Sequence, residues 1–190
     1  MFSCRIDDAD DALELRPLDH AQAAEMYAAV DANRAHLRRW MGWVDKTNSV
    51  DDIAAFIRRS LEQHARDDGF VVGVWHDVRI VGTIGMLYLK HEARRTEIGY
   101  WLAEPLQGRG IITRGCRRFI DYLFDDVKLN RVEIRCASEN HRSRAVPQRL
   151  GFTQEGVLRQ VQMVNDQLVD HVVYGMLDGE WRRLREEARR

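Results

Sequence analysis

Polar and apolar residues alternate along Leu13-Glu14-Leu15-Arg16-Pro17-Leu18, which predicts a short strand. Asp19 with Gln22 three residues on reads as a helix start, and Ala23, Met26, Tyr27 and Val30 then share one face. Ser49 with Asp52 forms a second capping box, opening a helix whose stripe is Ile53, Phe56, Ile57 and Leu61. Between these helices, Leu37-Arg38-Arg39-Trp40-Met41-Gly42-Trp43 is too aromatic for an ordinary surface connection. Phe70 to Trp75 and Ile80 to Leu89 are β-rich runs around His76-Asp77, the pattern of a hairpin. Thr96 to Leu102 predicts a further strand, followed at helical spacing by Ile111, Ile112, Gly115, Cys116, Phe119 and Leu123. Arg131 to Cys136 returns to strand, a short helix follows Asn140, and strands are expected at Val157–Val164 and Leu168–Leu177. The order is α+β, with a β-α-β crossover in the second half that implies a parallel strand pair.

Composition narrows the function. The 190 residues include 45% hydrophobic ones, enough for a proper core in one domain spanning 1–190. Residues 1–12 are expected as a poorly ordered extension and 179–190 as a charged C-terminal helix. With 29 Lys+Arg against 30 Asp+Glu, the net charge of −1 lacks the basic excess of a general nucleic-acid binder. No run approaches the roughly 18 consecutive apolar residues of a membrane span. Met1 to Asp11 holds four aspartates and no apolar stretch, so a cytoplasmic location is expected. Cys4, Cys116 and Cys136 are far apart and without a C-x-x-C pair, which fits reduced thiols and not a metal site.

The crossover carries Gln107-Gly108-Arg109-Gly110-Ile111-Ile112 between a strand and a helix. Two glycines at such a turn let backbone approach a ligand closely, and the free N–H groups of the helix start suit a phosphate or pyrophosphate. No Gly-Lys-Ser/Thr follows and no complete Gly-x-Gly-x-x-Gly is present, so neither a triphosphate loop nor a dinucleotide fingerprint is formed.

Glu97-Ile98-Gly99-Tyr100-Trp101-Leu102 precedes this loop; Asn140, Ser143-Arg144-Ala145-Val146 and Leu150-Gly151-Phe152-Thr153 follow it. Together with Trp40, Trp43 and the closing Asp170–Tyr174 and Glu180-Trp181, the chain resembles the GNAT N-acetyltransferases from residue 13 to 182. Within them it is most similar to the RimL-type enzymes that acetylate ribosomal protein N-termini. The resemblance implies a mixed, mostly antiparallel, twisted sheet of about seven strands flanked by helices, with a splayed cofactor cleft. It implies acetyl-CoA as co-substrate and no metal. Its pyrophosphate would lie on Gly108, Arg109, Gly110 and the following turn, including Ile111 and Ile112, with Gln107 matching the motif's first position. Ile112 stands where the family pattern has a small residue. Asn140 would contact the pantetheine arm, and a backbone N–H near Tyr100, Trp101 and Leu102 would hold the oxyanion.

The resemblance makes Glu97 the general base; by periodicity alone it is a strand glutamate facing solvent. It makes Ser143 the hydroxyl facing the coenzyme sulfur, where the bland reading is a helix cap. Pro147 occupies the position of the tyrosine acid used by many GNAT enzymes and should kink or shorten its helix. Tyr174 and His171 read as a buried tyrosine and a surface histidine. Direct transfer in a ternary complex follows, with Trp40, Trp43 and Tyr88 on the acceptor side. The acceptor is expected to be a protein N-terminal α-amine. The alternatives are a small amine (polyamine, aminoglycoside or metabolite) and a non-catalytic acyl-CoA-binding module. Homodimerisation through the Trp40–Trp43 stretch is a further expectation.

Overall fold

The structure is a computed structural model that describes residues 2–8 and 11–188. Among these residues, eight strands form one open sheet, in the order β1-β2-β3-β4-β5-β6-β8-β7. They are β1 (Cys4–Asp8), β2 (Asp11–Pro17), β3 (Val71–His76), β4 (Arg79–Lys90), β5 (Arg95–Leu102), β6 (Arg131–Ala137), β7 (Thr153–Val164) and β8 (Gln167–Leu177). The helices are α1 (Ala23–Ala32), α2 (Arg34–Leu37), α3 (Val50–Ala65), α4 (Ile111–Asp125), α5 (His141–Arg149) and α6 (Asp178–Glu187). Only β5 and β6 pair in parallel, joined by α4 as the crossover pattern requires. The eighth strand is β1: Cys4–Asp8 pairs antiparallel with β2, inside the segment expected as an extension. Residues 189 and 190 of the expected C-terminal helix lie outside the described residues.

Both capping boxes form. Ser49 Oγ accepts from Asp52 N at 3.2 Å while Asp52 Oδ2 accepts from Ser49 N at 2.9 Å. At Asp19 the box caps a single 3-10 turn, His20–Gln22, that runs on into α1. The apolar stripes then divide between the two faces of the sheet. Met26, Val30, Ile53 and Ile57 pack with Trp75, Ile80 and Trp101 on one face. On the other, Ile111, Cys116, Phe119 and Leu123 of α4 pack with Ile84, Ile98, Ile134 and Tyr174.

The turn between β3 and β4 contains Asp77 and Val78 at φ 47° and 63°, both left-handed. A two-residue loop of this type suits the sheet twist but favours Asn, Asp or Gly. Val78 is 85% exposed, so packing does not compensate for its β-branched side chain. We expect Val78→Gly to stabilise the fold by about 1 kcal/mol, raising the melting temperature by roughly 2–4 °C. Calorimetry checks this, and a lower midpoint would contradict it. The corresponding β7–β8 turn uses Asn165 and Asp166 at φ 48° and 59°, residue types that tolerate this conformation.

β7 starts at Thr153, four residues before the expected strand. Its register shifts between Gln154 and Gly156, so the bulge absorbs the glycine that otherwise signals a turn.

Candidate active site

β5 and β6 pair only at Arg95–Arg131, Thr96–Val132 and Glu97–Glu133. Beyond Glu97, β5 keeps its partner β4 as far as Leu102, and β6 keeps β8 as far as Ala137. The two strands therefore separate into a V with Glu97 and Glu133 at its apex. α4 starts past the upper end of β5 and α5 past the upper end of β6, which brings both helix N-termini to the mouth of the V.

At that mouth Gly108 and Gly110 adopt φ 82° and 75°, a conformation that glycine reaches at least cost. A Cβ built on either meets nothing within 4 Å, so both border open space. Gly110 is the N-cap of α4 and supplies no side-chain cap, leaving the first N–H groups of the helix without intrahelical partners. A cleft of about 740 Å³ is lined here by Tyr100, Trp101, Leu102, Gln107, Gly108, Gly110, Ile111, Ile112, Asn140 and Ser143. Arg109 is exposed and lies outside this lining. Ile112, at the position where a small residue was expected, is 7% exposed and packs into the core beneath the loop.

Residues remote in sequence brace the loop. Gln107 Nε2 lies 2.7 Å from His36 Nε2, and Gln107 Oε1 accepts from Arg142 Nη1 at 2.7 Å. Its side chain is thus a strut between the ends of α2 and α5. Neither partner was foreseen, because 71 and 35 residues separate them from Gln107 and no local pattern marks the pairing.

Asn140, not Ser143, caps α5: its Oδ1 accepts from Ser143 N at 3.1 Å. Ser143 Oγ then reaches Cys136 Sγ at 3.2 Å and Tyr100 Oη at 3.4 Å, while the Tyr100 hydroxyl donates to Ser143 O at 2.9 Å. Burial pushes both the Tyr100 phenol and the Cys136 thiol up, so each stays protonated at neutral pH. Pro147 sits inside α5, which spans nine residues.

Glu97 stands on the opposite face, because successive strand residues alternate sides and Ile98 points into the α4 core. Its side chain is 15% exposed. Burial raises its pKa above the usual carboxylate value, and Glu133 adds to that rise while Arg135 and Arg95 oppose it. A bulge in β4 between Met86 and Tyr88 sets Tyr88 opposite Glu97. Glu97 and Ser143 are thus not brought together on one surface; the open V lies between their two faces.

On the face of Glu97, Trp101 packs at 6.4 Å from Trp43, and Trp40 lines the cleft. Trp43 rests on Trp101 but stays 38% exposed and lies outside the cleft lining. Tyr174 is 1% exposed, with its hydroxyl accepting from Arg144 Nε at 3.1 Å. His171 is half-buried beside Arg135, and burial lowers its pKa. Among the described residues, no group of three or more His, Cys, Asp or Glu is placed to hold a metal ion. No described helix is long and apolar enough to cross a membrane.

An uncapped helix start, two left-handed glycines and a cleft leading into a splayed strand pair fit a long ligand with an anionic diphosphate at one end. Gly110→Ala is expected to weaken coenzyme A binding about tenfold, because the methyl group enters the open space at the loop. Titration calorimetry measures this; unchanged affinity would place the diphosphate elsewhere.

Residues 12–153 match the family model described as acetyltransferase (GNAT) domain. The chain is 36% identical over 182 residues to the putative ribosomal N-acetyltransferase YdaF of Bacillus subtilis, covering 95% of this chain and 98% of that one. It is 26% identical to the ribosomal-protein-serine acetyltransferase of Escherichia coli, covering 88% and 93% of the two chains. Among solved structures, the microcin C7 self-immunity acetyltransferase MccE, in complex with acetyl-CoA and AMP, superposes with a TM-score of 0.84 at 27% identity. That match covers 88% of this chain and 93% of the other.

Proposed function

The chain belongs to the GNAT acetyltransferases and is an acetyl-CoA-dependent N-acetyltransferase, and from that premise we propose that its acceptor is a protein N-terminal α-amine. The observation that carries the reading is the place of Glu97, at the apex of the V and on the face opposite α4 and α5. The coenzyme enters from the helix side, held by Gly108, Gly110 and the first turn of α4. The amine approaches from the other face and attacks the acetyl carbon directly, without an acetyl-enzyme. Glu97 takes the ammonium proton, directly or through one water, as its raised pKa allows. Ser143 Oγ, released from Cys136, donates a hydrogen bond that stabilises the departing thiolate and keeps its own proton.

Electrostatics on the acceptor face favours an α-amine over a polycation. Its carboxylates Glu97, Glu133 and Glu155 are matched by Arg95, Arg131 and Arg135, so no net negative charge gathers a polyamine. At pH 7 about 10% of an α-amine is neutral, against about 0.04% of a lysine amine. The relatives named for ribosomal proteins support the same choice.

A small amine bearing a flat group is the second reading, favoured by Trp40 in the cleft wall with the Arg39 guanidinium 5.7 Å from its ring. Coenzyme A release with parallel panels of free-N-terminus peptides and small amines separates the two. Release with peptides alone supports the proposal, and release with small amines alone overturns it. Full coenzyme binding with no transfer to either panel would point to the non-catalytic module.

A further inference from the structure

Two carboxylates at the apex of the V share the guanidinium of Arg135. Glu133 is buried, with its side chain 6% exposed, and it collects three arginines. Its Oε1 accepts from Arg95 Nη1 at 2.9 Å and from Arg131 Nε at 3.0 Å; its Oε2 accepts from Arg135 Nη2 at 3.1 Å. Glu97, directly across the parallel pair, has less. Arg135 Nε lies 3.2 Å from Glu97 Oε2, yet it makes no hydrogen bond there. The Arg135 fork thus hydrogen-bonds Glu133 and is ion-paired with Glu97 without an aligned hydrogen bond.

We propose that Glu133 is a positioning residue: by engaging Arg135 it keeps that guanidinium from aligning its hydrogen bonds on Glu97, so that Glu97 remains available to take a proton. The inference rests on the role given to Glu97 above. The surroundings account for the direction of the effect. Tyr88 of β4, Arg95 of β5, and Glu133, Arg135 and Cys136 of β6 are the titratable and charged groups around Glu97, and His171 of β8 borders Arg135. The Tyr88 phenol stays neutral, because burial and the two carboxylates push it up. Burial works against the charge on Glu133, but hydrogen bonds from Arg131 and Arg135 outweigh it and hold the group below the usual carboxylate range. Glu97 moves the other way, raised by burial with Arg135 only partly opposing. Of the two carboxylates, Glu133 is therefore held more firmly in its charged form than an ordinary carboxylate, and Glu97 less firmly.

Without the Glu133 charge, Glu97 loses a like-charged neighbour, and the freed Arg135 can turn its fork onto it. Both changes favour ionised Glu97 and make it a weaker base. Removing Arg135 does the reverse. The test is the acid limb of kcat/KM against pH, with a free-N-terminus peptide as acceptor, for wild type, Glu133→Gln, Arg135→Met and Glu97→Gln. The limb is expected to move down by about one pH unit in Glu133→Gln and up by about one unit in Arg135→Met.

A purely structural Glu133 would lower the melting temperature and leave the limb in place. Limbs unmoved in both variants, or moved in the same direction, would overturn the proposal even where Glu97→Gln abolishes the limb. If Glu133→Gln fails to fold, Glu133→Asp, which draws the carboxylate back from Arg135, decides: a limb moved down supports the proposal and an unmoved limb overturns it. A wild-type limb and turnover retained in Glu97→Gln would overturn the base reading and this inference together.

Discussion

Glu97→Gln is expected to lower kcat for a peptide amine by about 10²–10³-fold and to leave the dissociation constant of acetyl-CoA within about twofold. The two parameters separate because the coenzyme loop and Glu97 sit at opposite ends of the V, and Glu97 is not part of the cleft lining. Glutamine keeps the shape and can still lie beside Arg135, but it cannot take the proton. The wild-type rate should fall as pH drops through the pKa of Glu97. Because burial raises that pKa, the fall begins at a higher pH than for a solvent-exposed glutamate. Steady-state kinetics with calorimetric titration of acetyl-CoA measures both quantities. Unchanged kcat would remove Glu97 from the chemistry.

Trp181→Ala is expected to destabilise the fold by about 3–5 kcal/mol, lowering the melting temperature on the order of 10 °C. Trp181 of α6 is fully buried, packs 6.4 Å from Phe124 of α4 and donates from Nε1 to Asp121 at 2.9 Å. Truncation opens a cavity under the crossover helix and removes one of two donors to Asp121; Arg185 Nη1 remains at 3.2 Å. Trp181→Phe should lose about half as much, since the ring refills most of the space. Thermal unfolding of the two variants checks the order. A midpoint for Trp181→Ala within 2 °C of wild type would show that α6 does not brace α4.

Legibility in the sequence followed the range of the interactions. Local chemistry was readable: the Ser49–Asp52 box, the β3–β4 turn, and the left-handed glycines at 108 and 110 each need only neighbouring residues. The strand expected from Arg131 to Cys136 also forms, and it alternates charged with buried apolar side chains. What its charged side chains meet depends on which strands come to lie beside it. No pattern within residues 131–135 says that Arg95 and Glu97 arrive as parallel neighbours and Glu155 from beyond β8.

The strut from His36 through Gln107 to Arg142 was hidden for the same reason. β1 escaped notice because an edge strand, paired on one side only, carries a weak apolar signal: Ile6 is buried in the core, whereas Cys4 is half-buried and Arg5 exposed. Asn140 and Ser143 were picked out together, yet spacing alone did not tell which one caps the other's helix.

The most direct test of the acceptor assignment uses one peptide carrying both a free N-terminus and an internal lysine. It is incubated with acetyl-CoA and the enzyme, and the acetyl group is then located by mass spectrometry. The account predicts acetylation at the α-amine, absent with Glu97→Gln. Acetyl on the lysine alone, or an unmodified peptide from an enzyme that does acetylate small amines, would contradict it.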